Sequence, residues 1–318
     1  MNLVFVGAVA SSRVALEILL KRGVPVSLVV TLDKRFAKRH SDFEDLEPLC
    51  RQWDVPLLGV DKTNDPAVVS RIAACRPDYL FVIGWSQIVG PELLALPSRG
   101  ALGYHPALLP ENRGRAAIPW SILSGQDRTG STLFFLDEGM DSGDIVYQRE
   151  VPIAADETAA SLIEKHLAAV EAMMHQAADT LLDGSDLPRR PQDHNRATYT
   201  ARRRADDGLI DWRDDARDIA TLVRAAGSPY PGAFTFEKLK KLIILEAFPL
   251  DGVPWRGLPG QVLYHDPDGV VVQCGRGHLK VVTVKPEGGE ALPAVEHLSR
   301  LQPVLGVSLL DILKELKR

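Results

Sequence analysis

The chain has 318 residues, a formal net charge of −5, 45% hydrophobic and 25% charged residues, globular values that exclude a disordered or fibrous polypeptide and suit two domains. The longest apolar stretches, near Val26–Thr31 and Leu242–Leu245, are far too short to span a bilayer, and Met1-Asn2-Leu3-Val4-Phe5-Val6-Gly7 reads as a buried strand rather than a secretory signal, so a cytoplasmic protein is expected. Cys50, Cys75 and Cys274 are odd in number and widely separated, so neither a disulfide framework nor a metal is expected.

In chain order, Leu3–Val6 predicts a strand, Arg13–Lys21 a helix and Val26–Thr31 the next strand, which is βαβ grammar. A helix over Asp65–Ala74 leads to Tyr79–Ile83, an unbroken apolar run suited to a strand buried on both faces of a parallel sheet. Leu102–Tyr104 and Ser131–Leu136 supply further strands, and Ala159–Leu182 has helical spacing ended by Gly184. The first domain is therefore predicted as α/β, a doubly wound and mostly parallel Rossmann-like sheet. Around Asp186–Asp207 the composition shifts to Pro, Arg and Asp, which predicts a surface linker and a boundary near Arg203, giving domains 1–203 and 204–318. Beyond it a helix at Ala216–Ala226 precedes Ala233–Phe236, Leu242–Leu245, Gly260–Leu263, Val270–Gln273 and Leu279–Val284, evenly spaced short strands that predict a small, OB-like β-barrel.

Unusual residues concentrate in Gly100–Arg115, where His105 leaves a predicted strand and enters the Pro-rich loop Pro106-Ala107-Leu108-Leu109-Pro110-Glu111-Asn112-Arg113-Gly114. Ligands of open α/β sheets bind beyond the carboxyl ends of strands, where a catalytic His would sit, although a His satisfied by a turn fits equally. A second cluster, Asp137-Glu138-Gly139-Met140-Asp141-Ser142-Gly143-Asp144, sets carboxylates on a Gly-rich loop, which turn chemistry alone would also favour.

With Thr129-Gly130-Ser131-Thr132 between them, these segments in this order resemble the folate-dependent formyltransferases, which include glycinamide ribonucleotide transformylase, methionyl-tRNA formyltransferase and the sugar N-formyltransferases. Gly208-Leu209-Ile210-Asp211-Trp212, Val223-Arg224-Ala225 and Ser228-Pro229-Tyr230-Pro231-Gly232-Ala233-Phe234 are similar to the C-terminal domain of the transfer-RNA and amino-sugar enzymes, so nearly the whole chain is covered. The resemblance implies 10-formyltetrahydrofolate as donor, an amine as acceptor, and His105 and Asp141 as two members of a catalytic Asn, His, Asp set. The family's Asn lies two residues before the His, where this chain has Gly103. Asn112 is the nearest candidate to replace it, and Ser86 and Gln87 are others. The resemblance places the folate pterin near Trp85, Ser86, Gln87 and Ile88 and near Asp137, Gly139, Met140 and Asp141, on the expectation that both segments end strands at the same sheet edge.

Competing motifs are weaker. Gly7-Ala8-Val9-Ala10-Ser11-Ser12 lacks the three-glycine dinucleotide fingerprint and reads as a turn capped by Ser11 or Ser12. The basic run Lys34-Arg35-Phe36-Ala37-Lys38-Arg39-His40 is answered by Asp42, Glu44, Asp45 and Glu47, and Arg202-Arg203-Arg204 by Asp206 and Asp207, which argues against a polyanion surface. His166 and His175 are nine residues apart on one predicted helix, a packing arrangement rather than a metal pair. The leading expectation is formyl transfer to a small-molecule amine such as an amino-sugar nucleotide. The alternatives are a methionyl-tRNA formyltransferase and, because of Gly103, a formyltetrahydrofolate hydrolase or non-catalytic relative. The matched catalytic positions all precede Arg203, so the C-terminal domain is expected to support substrate access rather than chemistry.

Overall fold

The structure is a computed structural model and describes residues 1–39, 42–299, 303–307, 312–313 and 316. His40, the end of the basic run, lies outside the described residues. The chain forms two compact units, one of residues 1–118, 127–153 and 162–202, the other of residues 119–126, 154–161 and 203–318.

The first unit is built on β1 (Leu3–Val6), β2 (Val26–Leu32), β3 (Leu57–Val60), β4 (Tyr79–Val82), β5 (Gly100–His105), β7 (Arg128–Phe135) and β8 (Ile145–Pro152), with two short strands, β6 (Arg113–Gly114) and β9 (Tyr199–Thr200), paired apart from the main sheet. The helices up to β9 are α1 (Ala10–Lys21), α2 (Glu47–Gln52), α3 (Pro66–Ala74), α4 (Pro91–Leu94), α5 (Ala117–Leu123), which falls mostly in the second unit, and α6 (Ala159–Leu182), whose first turn does. The sheet order is β3-β2-β1-β4-β5-β7-β8. β1 to β5 pair in parallel, whereas β7 runs antiparallel to both β5 and β8. Alternate strand residues divide the core. Phe5, Val29, Phe81 and Leu102 pack with Leu16 and Leu19 of α1 and Val170, Met173 and Met174 of α6. Val4, Val30, Leu80 and Ala101 pack with Val68 and Ile72 of α3 and Leu93 of α4. Helices thus cover both faces, as the unbroken apolar strands predict, and each fully buried side chain contributes about 1.5–3 kcal/mol. α6 matches the predicted span, and Gly184 follows it with φ +79°, a conformation glycine adopts without Cβ penalty. His166 and His175 pack as expected. His166 is buried with Nδ1 2.8 Å from Ser131 Oγ, and His175 lies 3.4 Å from Arg22 Nη1.

The second unit contains α7 (Ala216–Ala226), β10 (Ala233–Glu237), β11 (Lys240–Leu250), β12 (Val262–Asp266), β13 (Gly269–Gln273), β14 (His278–Pro286), β15 (Leu292–Pro293) and α8 (Ala294–His297). Asp215 caps α7 by accepting from the Arg217 N–H at 2.8 Å. The sheet is antiparallel in the order β10-β11-β14-β13-β12, with β15 on β14. Its inward residues, including Leu242, Ile244, Val270, Val272, Leu279 and Val281, pack on Ile219 and Val223 of α7. The sheet is consistent with the barrel-like domain predicted, without a closed barrel of strands: among the described residues no strand pairing joins β10 to β12 directly, while Val304 bridges to Gln261 and the Gly306 N–H donates to the Phe236 carbonyl at 2.8 Å.

Candidate active site

β5 delivers His105 to the carboxyl end of the parallel strands, 6% exposed. Residues 101, 103 and 105 share the face that packs toward α3 and α4, since strand side chains alternate. The His105 Nε2 lies 2.7 Å from the Asn112 carbonyl oxygen. A carbonyl only accepts, so Nε2 carries a proton and donates. Nδ1 then faces Asp141 Oδ2 at 3.7 Å, too long for a direct hydrogen bond but close enough for one substrate nitrogen or water to touch both. The same carboxylate also accepts from the Gly114 N–H at 2.8 Å. Asn112 has φ +56°, Gly114 +106° and Asp141 +50°. Such left-handed residues persist only where the surroundings over-determine them.

The surroundings come largely from the stretch predicted as a linker, and that expectation is corrected. Arg113 and Gly114 of β6 pair in parallel with Tyr199 and Thr200 of β9. The Asn112 N–H donates to Thr198 Oγ1 at 2.8 Å. Arg113 is 2% exposed, and its guanidinium donates to Gln192 Oε1 at 2.7 and 3.2 Å and to His194 Nδ1 at 3.1 Å. Gln192 in turn donates to the Asp141 and Gly143 carbonyls at 2.9 and 2.7 Å.

Asp141 arrives by a different route from the one expected. Because β7 is antiparallel to β5, the chain leaves it toward the amino end of β5, where the Leu136 N–H donates to the Ala101 carbonyl at 2.8 Å. The two candidate folate segments therefore do not end strands at the same sheet edge; residues 137–143 fold back to bring Asp141 to His105. Within this loop Asp137 closes its own turn, accepting from the Gly139 N–H at 3.0 Å and from Ser142 Oγ at 2.8 Å. Gly143 leaves no room for a Cβ against the Phe135 carbonyl. Met140, 60% exposed, sets its Sδ 3.4 Å from where a Cβ on Gly114 would lie.

The segment after β4 is held separately. Trp85 Nε1 donates to Thr63 Oγ1 at 2.6 Å, and Gln87 accepts from Thr63 and donates to the Asp61 carbonyl at 2.8 Å. Gln87 therefore braces the loop after β3 with its side chain. The Ser86 carbonyl accepts from Arg115 Nη2 at 3.2 Å, tying this segment to the loop after β6, and Ile88 is 79% exposed. The turn between β1 and α1 is capped by Ser12, whose Oγ accepts from Ala8 and Val9 and donates to the Ile83 carbonyl.

Gly103 is closed off. A Cβ built there lies 2.6 Å from Leu136 Cδ2 and 3.2 Å from Phe134 Cε1. Leu136 thus occupies the space into which a side chain at position 103 would grow.

A strand-borne His and a carboxylate folded back to it thus stand together at the carboxyl end of a doubly wound sheet, where enzymes of this architecture bind their ligands. The formyl transferase family model matches residues 4–178, and the model of its C-terminal domain matches residues 203–302. The chain belongs to the formyl transferase family. It is 34% identical to a methionyl-tRNA formyltransferase of Citrifermentans bemidjiense over 95% of both chains. Solved structures share the fold at lower identity. HypX from Aquifex aeolicus superposes at a TM-score of 0.67 with 20% identity over 94% of this chain, which spans just under half of HypX at 47%. The N-formyltransferase from Helicobacter canadensis, in complex with folinic acid and dTDP-3-aminofucose, superposes at 0.62 with 16% identity over 88% of this chain and 98% of its own. The chain is a formyltransferase, and among the described residues no helix is long and apolar enough to cross a membrane.

Proposed function

We propose that the chain transfers the formyl group of 10-formyltetrahydrofolate to the amine of methionyl-tRNA. The observation that carries this reading is the 34% identity to a methionyl-tRNA formyltransferase across 95% of both chains. It reverses the order of the sequence-based expectations, in which an amino-sugar acceptor came first, since the sugar N-formyltransferase likeness is 16% identical.

Charge supports the same acceptor, at a different place from the one anticipated. In the basic run after β2, Lys34 is bound by Asp45 and Glu47 at 2.7 and 2.6 Å, and the hydrogen bonds it donates to both raise its pKa. Arg35 pairs with Asp33, whose carboxyl its hydrogen bonds hold down at about 2. These cations are spent locally. In the second unit, Lys238, Lys240, Lys241 and Lys285 take no part in an ion pair among the described residues, unlike Arg213, Arg217, Arg276 and Lys280. The registers Phe236↔Lys241 and Ile243↔Lys285 set Lys241 and Lys285 on the outer sheet face, with Lys241 Nζ 4.0 Å over the Phe234 ring. Lysines beside aromatic rings suit a phosphate backbone.

At the site, the amine nitrogen bonds to the formyl carbon, the carbonyl becomes an oxyanion, and the bond from carbon to folate N10 then breaks as the amine proton reaches N10. With Nε2 committed to Asn112, His105 offers Nδ1 to the amine, and Asp141 balances the positive charge the ring gains. Asn112 acts through its carbonyl by orienting the ring. Trp85, Ser86, Gln87 and Ile88 border the pterin from one side and Asp137, Gly139 and Met140 from the other, chiefly by backbone, with Ile88 and Met140 supplying apolar surface to a planar ring. The test supplies 10-formyltetrahydrofolate with methionyl-tRNA or with an amino-sugar nucleotide and follows formylated product. Transfer to methionyl-tRNA, weakened by Lys241→Glu with Lys285→Glu and not by Lys34→Glu, is expected. Transfer to the sugar alone would reject the reading.

A further inference from the structure

Arg113 is a buried cation whose hydrogen-bond partners include the neutral acceptors Gln192 Oε1 and His194 Nδ1. Burying a guanidinium costs free energy that hydrogen bonds to fixed partners must offset, so the arrangement calls for a return elsewhere. That return is visible at Gln192. Its carboxamide, on a residue only 6% exposed, accepts twice from Arg113 and donates to two carbonyls of the loop carrying Asp141. We infer that Gln192 is a positioning residue for formyl transfer, joining the backbone that orients His105 to the backbone that carries Asp141. Residues 112–114 and 141–143 also meet through the bond from the Gly114 N–H to the Asp141 carboxylate.

The side-chain type is dictated by what it faces. One end must accept from a guanidinium and the other must donate to two carbonyls, which an amide alone among side chains of this length can do. A carboxylate would keep the Arg113 bonds and set a lone pair against the two carbonyls. An alkyl group would lose both and leave Arg113 and two carbonyls without these partners, so each is a different perturbation of one junction. The consequence falls on geometry, because a displacement of about 1 Å at a catalytic group can cost roughly 100-fold in rate.

The inference rests on the proposed roles of His105 and Asp141, and the test separates the two. Gln192→Glu and Gln192→Leu are compared with wild type in single-turnover transfer from 10-formyltetrahydrofolate, with folding checked by circular dichroism. In parallel, proton and nitrogen resonances of the His105 ring are followed in histidine-labelled protein, where the bonded Nε2–H reports on the Asn112 carbonyl without any substrate. Expected are a fall in kcat of about 10-fold to 100-fold, a donor KM within about threefold, and a displaced or broadened Nε2–H resonance. Wild-type kcat with an unchanged ring resonance in a folded variant would overturn the inference. Should Gln192→Leu not fold, Gln192→Glu, which keeps the volume and the Arg113 bonds, decides alone. An inactive wild type would remove the functional reading, while the ring resonance would still decide whether Gln192 holds the two segments together.

Discussion

Two stretches of the first unit, residues 103–114 and 187–200, meet at the site and could hardly differ more in appearance. The first sets His105 at the end of an apolar strand and before a loop with two prolines and a glycine; the second, with its prolines, arginines and few apolar residues, reads as a polar connection. Yet the left-handed Asn112 and Gly114, with Arg113 between them, are held by Thr198, Gln192 and the strand Tyr199–Thr200. The difference teaches that chemistry leaves a dense signature because reactive side chains are restricted in kind, whereas support can be given by any amide or hydroxyl at the right distance.

The largest expected effect tests the first stretch. His105→Ala and Asp141→Ala should each lower single-turnover transfer by about 100-fold or more, because the proton acceptor and its counter-charge act as one unit. Rates near wild type in both would remove the assignment. Next comes Gly103→Asn, which matches the residue type of the family pattern but drives a side chain into Leu136 and Phe134. Overpacking of this kind costs about 1–3 kcal/mol, so thermal denaturation should show a lower midpoint and turnover should not rise. Adding Leu136→Ala should return part of the loss. A faster Gly103→Asn enzyme would mean that Leu136 yields. The smallest effect belongs to the second stretch. Thr198→Val removes one acceptor from the Asn112 N–H, and about 1 kcal/mol of stability with a few-fold loss of rate is expected. A loss as large as that of His105→Ala would collapse the distinction between chemistry and support.

The legible parts of the fold were those where local pattern and burial agree. The helices Ala159–Leu182 and Ala216–Ala226 match their predicted spans because periodicity and end signals coincide. β3 was not anticipated, being a four-residue strand, Leu57–Val60, that contains a glycine. β8 was not anticipated either, since Gln148, Arg149 and Glu150 break its apolar run. At the site, His105 and Asp141 were named from motif order and lie 3.7 Å apart. The antiparallel turn of β7, which sets the approach of Asp141, depends on long-range pairing that no local pattern encodes. Gln192 had no signal of its own, because an amide in a polar stretch looks the same whether it faces water or two buried carbonyls. Ser86 and Gln87 were grouped by position, and only the structure separates a carbonyl bound by Arg115 from a side chain turned to Asp61 and Thr63.

The pairing of β6 with β9 also sets an order of assembly. Gln192 follows Asp141 by 51 positions, so on the ribosome the strands through β8 emerge well before the residues that brace the site. A nascent chain can lay down its sheet while the proposed catalytic pair still lacks its brace, and activity should switch on only once residue 200 is clear of the exit tunnel. For protein engineering, the same pairing means that a split, insertion or circular permutation placed between residues 187 and 200 acts on the reaction centre itself, although the stretch has the composition of a spacer.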